Sequence, residues 1–454
     1  MDDSLTALRS ALPEIVWPAI PPPAGAALLA MQYQLQQSQW WPAERLRAQQ
    51  FRQLDVLLRH AYETTNYYRR QLDGIGFTAD CALDEATFSR VPLLTRAQLQ
   101  QSFGDLCSRR VPASSGRTAE NMTSGSTGMP VRFLTTELTA FYWRVFTLRD
   151  HLWQRRDFSG KLAAIRLKVK EGEWPGWGPS VDTVIRSGPS VTLDINRDVD
   201  EQLRWLEQQN PVYLLTFATN LEALARRSLE RGVRLPALRE ARAISEMLPP
   251  GVRALVRKAW DVPLVDLYSS QEVGYIALQC PEHEHYHIQS ENVLVELLRD
   301  DDQPCAPGEI GRVVLTTLHN FALPLIRYDI GDYAEAGEPC SCGRGLPVIR
   351  RIMGRVRNML RLPGGGQHWP SLGILSVMPG SLIKQYQCIQ HTLERIEVRL
   401  VTARPLTSDE EGNLRAAMTE KIGHSFLIDI TYCDQIERSA SGKFEEFRCE
   451  IAGE

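Results

Sequence analysis

The sequence predicts an α/β protein, with a large N-terminal α/β domain followed by a small C-terminal α+β domain. Two observations support this fold class. Between residues 212 and 270, a strand-like, a helix-like and a strand-like segment follow one another, which is the order that builds parallel sheets. Residues 384–432 instead place a single helix-like run among three strand-like runs.

The first elements of the chain are an irregular segment and a long helix. The proline-rich residues 17–25 are predicted to form neither a regular helix nor a central strand, because proline lacks the backbone donor that both require. Residues 42–63 carry apolar side chains at helical spacing, which predicts an amphipathic helix.

The middle of the chain has both parallel and antiparallel signals. Residues 212–218 predict a buried strand, 220–232 a helix that ends at a glycine, and 262–270 a strand followed by a loop. Residues 287–298 and 308–318 alternate apolar and polar side chains, so a pair of neighbouring strands is expected there.

The C-terminal domain is predicted to begin close to a glycine-rich junction. We expect the large domain at residues 1–356 and the small one at 357–454, with 362–370 as a flexible connection. A helix is expected over 407–423, with Ser408 as its N-cap. The strands of this domain are expected at 384–390, 395–402 and 426–432.

Composition excludes several classes of function. A chain of 454 residues with a net charge of −4 gives no electrostatic reason to expect nucleic acid or an anionic membrane as a partner. No apolar run approaches the roughly 20 residues of a membrane span, and the polar, acidic N-terminus is unlike a signal peptide. A cytoplasmic protein is therefore expected, and its nine cysteines are too scattered to predict a disulfide framework.

The stretch NMTSGSTGMP at residues 121–130 crowds glycines and hydroxyl side chains into one loop. Glycines let backbone N–H groups approach an anion, and hydroxyls add donors, so a phosphate loop is one interpretation and a polar surface turn is the other. Three later stretches favour the first: YSSQEVG at 268–274, LIRYDIGDY at 325–333 and RSASGKFEEFR at 438–448.

In this order, the four stretches and the MGRVRNML segment at 353–360 resemble the signature motifs of the AMP-forming adenylate-forming superfamily, which includes the acyl- and aryl-CoA synthetases. Within it, the sequence is most similar to the phenylacetate–CoA ligase branch. The closer likeness is carried by LPLIRYDIGDY, by ETTNYYRRQL and by the segment that begins with ISEML at residue 244. The resemblance implies an acyl-adenylate synthetase fold with a mobile C-terminal lid.

The resemblance also implies a nucleotide site. The β- and γ-phosphates of ATP would be held by the loop residues Ser124, Gly125, Ser126, Thr127 and Gly128.

Other residues of the motifs would complete this site. Glu272 would bind the Mg²⁺ that bridges the phosphates, since a hard cation prefers carboxylate oxygen. Tyr268, with Ser245 and Glu246, would line the adenine and acyl sites. Asp332 would accept hydrogen bonds from the ribose hydroxyls.

Two basic residues have implied roles near the phosphates. Arg355 would help to hold the ribose or a phosphate, and Lys443 would reach the α-phosphate from the C-terminal domain. The reaction needs positioning and charge neutralisation more than a protein nucleophile, and lysine supplies a compact charge. The alternative for Lys443 is an ordinary solvated lysine in a turn.

The sequence departs from the family pattern in three places. No lysine follows Pro130 in the phosphate loop, and YSSQE has serine and glutamine where glycine and threonine are usual. Arg357 and Asn358 stand where the hinge usually has aspartates, so the family's domain rotation is not assured. Adenylation is therefore better supported than thioester formation.

A set of cysteines and histidines predicts a structural zinc site. Thiolates and imidazoles are the ligands that zinc prefers, and a structural site needs four. The expected ligands are Cys280, His287, Cys340 and Cys342. His283 and His285 compete for the histidine position, and the alternative is a polar loop with unrelated thiols.

The predicted function is ATP-dependent activation of a carboxylic acid and transfer of the acyl group to CoA. Aromatic residues 141–143 with Trp174 and Trp177 are compatible with a flat aryl acid, although ordinary packing explains each one singly. One rival is an adenylating enzyme that uses a carrier-protein thiol, an amine or another nucleophile as acceptor. A degenerate, non-enzymatic binder is the other. A homodimer is left open.

Overall fold

The computed structural model describes residues 8–78, 83–123, 130–355, 359–368, 370, 374, 382–438 and 444–451. The chain packs as two compact units, each built from several segments. The first consists of Met1–Leu162, Glu173–Val191 and Val265–Ile352; the second of Ala163–Gly172, Thr192–Leu264 and Met353–Glu454. The predicted boundary at residues 356 and 357 stays a prediction.

Helices of the first unit surround an antiparallel sheet of seven strands. Its helices are Pro23–Ser38, Ala43–Thr64, Asn66–Gly74, Glu85–Ser89, Arg96–Gln101, Phe103–Leu106, Glu137–Trp153 and Pro179–Asp182, with a 3-10 turn at Ala113–Ser115. The strands lie in the order Val293–Leu298, Ile310–Thr317, Tyr328–Ala336, Val348–Arg355, Tyr286–Ile288, Gly274–Gln279 and Leu267–Ser270. A separate hairpin pairs Thr118–Met122 with Arg132–Thr136.

A second sheet has six strands, and most of its residues belong to the second unit. It contains the parallel pairing that the sequence predicts. Its strand order is Gly172–Trp174, Ser190–Asp194, Leu162–Arg166, Tyr213–Phe217, Glu240–Ile244 and Leu264–Val265. Tyr213–Phe217 runs parallel to Glu240–Ile244. The helices Val199–Gln209, Ala218–Arg231 and Val252–Trp260 follow strands in the chain, as in an α/β fold.

The C-terminal part of the second unit has its own sheet and core. The sheet order is Leu427–Tyr432, Arg395–Thr402, Ile383–Gln390 and Phe447–Cys449, and the helix Ser408–Ile422 buries Leu414 and Met418 in its core. Two short strands, Leu360–Arg361 and Gln367–His368, pair beside it. The predicted α/β and α+β patterns are both confirmed.

Several predicted elements agree with the structure and three need correction. The helix at 42–63, the helix at 220–232 and the paired strands near 293–317 are confirmed. The proline-rich segment was predicted to lack helix, yet a helix starts at Pro23, because the first helical position needs no N–H donor.

The other two corrections concern a helix cap and a predicted strand. Thr407, rather than Ser408, caps the C-terminal helix, because its hydroxyl accepts from the Glu410 N–H in a capping box. Residues 262–270 were predicted to be a strand followed by a loop, but they form two strands of different sheets, Leu264–Val265 and Leu267–Ser270. None of the described helices is both long and apolar enough to span a membrane.

Glu446 makes the stability of the second unit depend on pH. Burial, together with the negative charge of Glu222, raises the pKa of Glu446 to about 8 from an ordinary value of 4.5. Between these two values the folded chain binds an extra proton, so its stability is complete below about pH 4.5 and is lost as pH rises through about 8. We expect Glu446→Gln to remove this loss.

The measurement is the melting temperature between pH 5 and 8 by calorimetry. The Tm of the wild type should fall with rising pH more steeply than that of Glu446→Gln. Glu445→Gln, one residue away, is the matched control and should keep the wild-type slope. Equal slopes for Glu446→Gln and the wild type would contradict the assignment.

Candidate functional site

Tyr268 and Asp332, both predicted site residues, are joined by a hydrogen bond in the first unit. The Tyr268 hydroxyl donates to Oδ2 of Asp332 at 2.7 Å. The two residues lie on strands Leu267–Ser270 and Tyr328–Ala336, which are not neighbours in the sheet. Tyr268 is 7% exposed, so the bond forms in water-poor surroundings and holds the carboxylate in one orientation.

Glu272 lies in the turn between Leu267–Ser270 and Gly274–Gln279. The Val273 N–H donates to the Ser270 hydroxyl at 3.2 Å, and Gly274 takes a left-handed backbone with a φ of +95°. Glu272 is 7% exposed, and among the described residues no hydrogen bond or ion pair engages its carboxylate. Neither of its oxygens is among the unpaired side-chain atoms that are inaccessible to water, so the carboxylate can still be reached by a hard cation.

The carboxylate of Glu246, in the second unit, binds four donors. Its Oε2 accepts from the backbone N–H of Thr219 at 2.9 Å and from the Thr219 hydroxyl at 2.8 Å. Its Oε1 accepts from Arg438 Nη1 at 3.2 Å and from the Phe444 N–H at 2.7 Å. Burial raises the pKa of Glu246, while Arg438 acts in the opposite direction. Ser245, before it, has a left-handed backbone with a φ of +68°.

Several predicted site residues fall outside the part of the chain that the structure describes. These are the phosphate-loop residues Ser124, Gly125, Ser126, Thr127 and Gly128, the hinge residues Arg357 and Asn358, and Lys443. Arg355 is among the described residues and is the last residue of the strand Val348–Arg355. This strand begins in the first unit, and its end, with Arg355, belongs to the second unit. The roles of all these residues stay predictions.

Two hydrogen bonds join Thr123 and Val131, the residues on either side of the segment 124–130 in the predicted phosphate loop. We call this bonded pair the neck of the loop. The Thr123 N–H donates to the Val131 carbonyl at 2.8 Å, and the Val131 N–H donates to the Thr123 hydroxyl at 2.9 Å. Because this neck continues the hairpin Thr118–Met122 and Arg132–Thr136, the seven residues between Thr123 and Val131 form its connection.

Arg96 lies at this neck and was not identified from the sequence. Its Nη2 donates to the Thr123 hydroxyl at 3.3 Å. Its Nε and Nη1 are inaccessible to water and have no hydrogen-bond partner among the residues that the structure describes. Buried donors are normally paired, so an unpaired guanidinium edge needs an explanation. Arg96 and Thr123 are 27 positions apart in the sequence, which explains why local spacing gave no signal.

The cysteines and histidines of the predicted metal site converge in the first unit. Potential ligand atoms of Cys280, His285, His287 and Cys340 all lie within 4.8 Å of one another. The two sulfurs, of Cys280 and Cys340, are 3.9 Å apart, and Nε2 of His285 lies 3.0 Å from the Cys340 sulfur. Cys342 Sγ lies 3.4 Å from Nε2 of His287.

The geometry distinguishes between His283 and His285, the two histidines that competed as ligands in the sequence analysis. His283 points its Nε2 at the Ser341 hydroxyl at 3.0 Å, whereas His285 joins the cluster beside His287. His287 Nδ1 lies 3.3 Å from the Leu346 carbonyl, which leaves Nε2 toward the sulfurs. Burial lowers the pKa of His287 to about 4, so its ring is neutral near pH 7, as a metal ligand must be.

The aromatic residues of the predicted acyl pocket make ordinary packing contacts. Tyr142 stacks on His319 with ring centroids 3.9 Å apart, and Trp143 lies 5.0 Å from Tyr275. Trp177 donates its indole N–H to the Gly160 carbonyl and packs on Phe158. Trp174 is exposed. These contacts do not define an acyl pocket.

Comparison with known proteins identifies relatives over most of the chain. A phenylacetate-coenzyme A ligase of Thermus thermophilus is 25% identical over 382 residues, covering 80% of this chain and 83% of the relative. The phenylacetate-coenzyme A ligase of Escherichia coli is 24% identical and covers 71% and 74%. A CapK C-terminal domain matches residues 373–447.

Solved structures share the fold. A 2-hydroxyisobutyryl-CoA ligase in the postadenylation state, with R3-HIB-AMP, has a TM-score of 0.70 at 18% identity and covers 91% of both chains. The same ligase with 2-HIB-AMP and CoA has a TM-score of 0.59 at 17% identity over 98% of both chains. An anthranilate CoA ligase with anthranoyl-AMP has a TM-score of 0.53 at 18% identity, over 71% of this chain and 64% of its own.

Proposed function

We propose that this chain, a homologue of the phenylacetate–CoA ligases with the fold of the adenylate-forming superfamily, activates a carboxylic acid with ATP and transfers the acyl group to coenzyme A. The substrate is an aromatic acid of the phenylacetate or benzoate type. The hydrogen bond between Tyr268 and Asp332 carries this proposal, because it joins two motif residues that are 64 positions apart in the sequence.

The reaction has two steps. An oxygen of the substrate carboxylate attacks the α-phosphorus of ATP, the bond to the β-phosphate oxygen breaks, and pyrophosphate leaves. The CoA thiol, after losing its proton, then attacks the acyl carbon of the acyl-adenylate, and AMP leaves with the electron pair of the broken acyl–oxygen bond. Both steps depend mainly on positioning and on neutralising phosphoryl charge.

The residues of this chain divide these tasks. Asp332, oriented by Tyr268, accepts hydrogen bonds from the ribose, and Lys443 places a positive charge at the α-phosphate. Glu272 fits a Mg²⁺ ligand, because its carboxylate has no hydrogen-bond or ion-pair partner among the described residues and is not closed off from water. Mg²⁺, when bound, neutralises phosphate charge.

Arg96 supplies a second positive charge beside the phosphate loop. Its unpaired Nε and Nη1 donors suit a phosphate oxygen, and the loop lacks a lysine after Pro130. Arginine fits this position because its planar group can hold Thr123 with one nitrogen and an anion with the others.

The cysteine and histidine cluster fits a structural zinc ion. With zinc–sulfur bonds of about 2.3 Å, two sulfurs in a tetrahedral site lie about 3.8 Å apart, and Cys280 and Cys340 are separated by 3.9 Å. We assign Cys280, His287 and Cys340 as three of the four zinc ligands. Cys342, the fourth predicted ligand, and His285 compete for the remaining position.

The acceptor distinguishes this proposal from its rivals. CoA is favoured by the curated relatives, which are named as CoA ligases. A carrier-protein thiol, an amine or another nucleophile is the alternative acceptor. The cytoplasmic location and the homodimer stay predictions.

The first prediction concerns pyrophosphate release and Lys443. With ATP, Mg²⁺ and a panel of aryl and short aliphatic acids, we expect acid-dependent pyrophosphate release, and an acyl-CoA product when CoA is added. Lys443→Ala should lower the pyrophosphate rate by roughly 10²–10³-fold, because a charge aimed at the transition state is lost. Its melting temperature should not change.

Lys384→Ala is the control, since Lys384 is an exposed lysine on the strand Ile383–Gln390 of the C-terminal sheet. Pyrophosphate without an acyl-CoA product would favour another acceptor. Release of no pyrophosphate with any acid would support a non-enzymatic binder, and near-normal release by Lys443→Ala would refute the role of that lysine.

The second prediction concerns Arg96. Pyrophosphate with Mg²⁺ should raise the Tm of the wild type, because a ligand that binds only the folded chain stabilises it. Arg96→Ala should lose most of this rise while its own ligand-free Tm stays the same or increases, since unpaired buried donors are removed. Arg96→Lys should recover part of it.

Arg90→Ala is the control, since Arg90 is exposed on the preceding segment. An equal rise in Tm for Arg96→Ala and the wild type would exclude Arg96 from the phosphate site.

The third prediction concerns zinc. Protein purified without chelator should hold one zinc per chain by plasma mass spectrometry. Cys340→Ser should lose the metal and melt at a lower temperature, because metal binding contributes to folding. Cys107→Ser, a partly buried thiol elsewhere in the first unit, should retain it.

Comparison of His285→Ala with Cys342→Ala identifies the fourth ligand, since only the ligand's variant should release zinc. Absence of zinc from the wild type, or full retention by Cys340→Ser, would refute the site.

A further inference from the structure

The hairpin formed by the strands Leu267–Ser270 and Gly274–Gln279 contains a β-bulge, and we call it the site hairpin. Its register shifts by one residue between Tyr275 and Ala277, so Ile276 is the extra residue of the second strand. A bulge bends its strand and redirects the neighbouring side chains, and bulges are frequent beside active sites. Because Ile276 is fully buried, this bulge belongs to the packed sheet rather than to a frayed edge.

The bulge lies between two residues of the proposed nucleotide and magnesium site. On one side of it, Tyr268 pairs with Ala277. On the other side, Ser270 pairs with Gly274 and so closes the turn that contains Glu272. A slip of the register by one residue would turn the side chains of a strand to the opposite face of the sheet. The relative placement of Tyr268 and Glu272 therefore depends on where the bulge is held.

Asn292 and Gln289 hold the carbonyl groups of two residues at the bulge. The Asn292 side chain donates from Nδ2 to the Tyr275 carbonyl at 2.7 Å. The Gln289 backbone N–H donates to the Ile276 carbonyl at 2.9 Å. Asn292 is 8% exposed and Tyr275 is 5% exposed, so the bond between them forms in water-poor surroundings. Removing the amide would take this donor from a buried carbonyl, which is unfavourable.

The Asn292 amide also lies beside the Glu272 turn. Gly274, which ends the turn, has a left-handed backbone with a φ of +95° that glycine adopts easily. A Cβ atom placed on Gly274 would lie 3.7 Å from Nδ2 of Asn292, which is ordinary van der Waals distance. The same side chain therefore lies against the end of the turn and binds the bulge that follows it.

Two helices fix the segment that carries Asn292. The Asn292 N–H donates to the Gln289 carbonyl at 2.8 Å, which closes a turn of the main chain. Arg149 donates from Nη1 to the side-chain oxygen of Gln289 at 2.9 Å, and Gln50 donates from Nε2 to the Ser290 carbonyl at 2.9 Å. Arg149 and Gln50 belong to different helices of the first unit, so the bulge is held from outside the site hairpin.

We propose that Asn292 is a positioning residue that fixes the bulge of the site hairpin, so that Glu272 and Tyr268 are presented together to Mg²⁺ and the nucleotide. This inference rests on the proposed function, in which Glu272 binds the metal ion. Residues that orient a metal ligand without touching the metal contribute roughly 10–100-fold to metal affinity. Asn292 is 17 positions from Tyr275 in the sequence, so no local pattern pointed to it.

The dependence of the reaction on Mg²⁺ separates positioning from general stabilisation. If Asn292 positions Glu272, its loss weakens the binding of Mg²⁺, and a higher Mg²⁺ concentration is needed for half of the maximal rate. If Asn292 only stabilises the fold, its loss lowers the Tm and reduces the rate by the same factor at every Mg²⁺ concentration. The half-saturating concentration is then unchanged.

The experiment compares Asn292→Ala and Asn292→Leu with the wild type. Asn292→Ala removes the donor and most of the side chain, whereas Asn292→Leu keeps the branched shape without a donor. In both variants, the Mg²⁺ concentration that gives half of the maximal rate of pyrophosphate release should rise roughly tenfold.

Gln154→Ala is the matched control. Gln154 also donates a side-chain amide to a carbonyl of the strand Gly274–Gln279, that of Gln279 at its far end, at 3.1 Å. The bond lies away from the bulge, so this variant should keep the wild-type dependence on Mg²⁺.

Two further measurements need no enzymatic activity. The Mg²⁺ concentration that gives half of the pyrophosphate-induced rise in Tm should also increase roughly tenfold in both Asn292 variants. Amide hydrogen exchange in Gly274–Gln279 should become roughly tenfold faster, because the bulge opens more often. Exchange in Ile310–Thr317, a strand of the same sheet, should not change.

An unchanged Mg²⁺ requirement in both Asn292 variants, or unchanged exchange in Gly274–Gln279, would overturn the proposal. If the wild type releases no pyrophosphate with any acid, the proposed function fails. The exchange rates and the Tm measurements then still decide whether Asn292 fixes the bulge.

Discussion

A carboxylate that leaves water must receive hydrogen-bond donors or a cation, and this requirement governs the candidate site. Glu246 meets it with four donors from Thr219, Arg438 and Phe444. Asp332 receives the Tyr268 hydroxyl. Glu272 is buried without a partner among the described residues. The first two carboxylates are thereby oriented, and the third is available to a metal ion.

The same constraint applies to positive charge. Arg96 has two buried donors without partners among the described residues, next to a loop in which no lysine follows Pro130. Arg438, by contrast, is paired with Glu246. Positive charge is therefore placed both beside the glycine-rich loop, at Arg96, and against the carboxylate of Glu246, at Arg438.

Local patterns explain which secondary structures were predictable. The spacing of apolar residues predicts the helix Ala43–Thr64, which buries one face. A run of apolar residues predicts a strand that is buried on both faces, as in the parallel strands Tyr213–Phe217 and Glu240–Ile244. The start of a helix at Pro23 and the cap at Thr407 differ from expectation by one or a few residues, because alternative local hydrogen bonds compete at helix ends.

The sequence by itself determined the fold class, the ordered motifs and three of the four residues whose metal-ligating atoms converge, Cys280, His287 and Cys340. Only the tertiary structure selected His285 over His283 and placed Arg96 against Thr123, beside the predicted phosphate loop. It also brought Glu246 to Arg438, 192 positions away. Spacing reports which residues share one helix or strand, whereas contacts between distant segments depend on how the elements pack, and no local pattern records that packing.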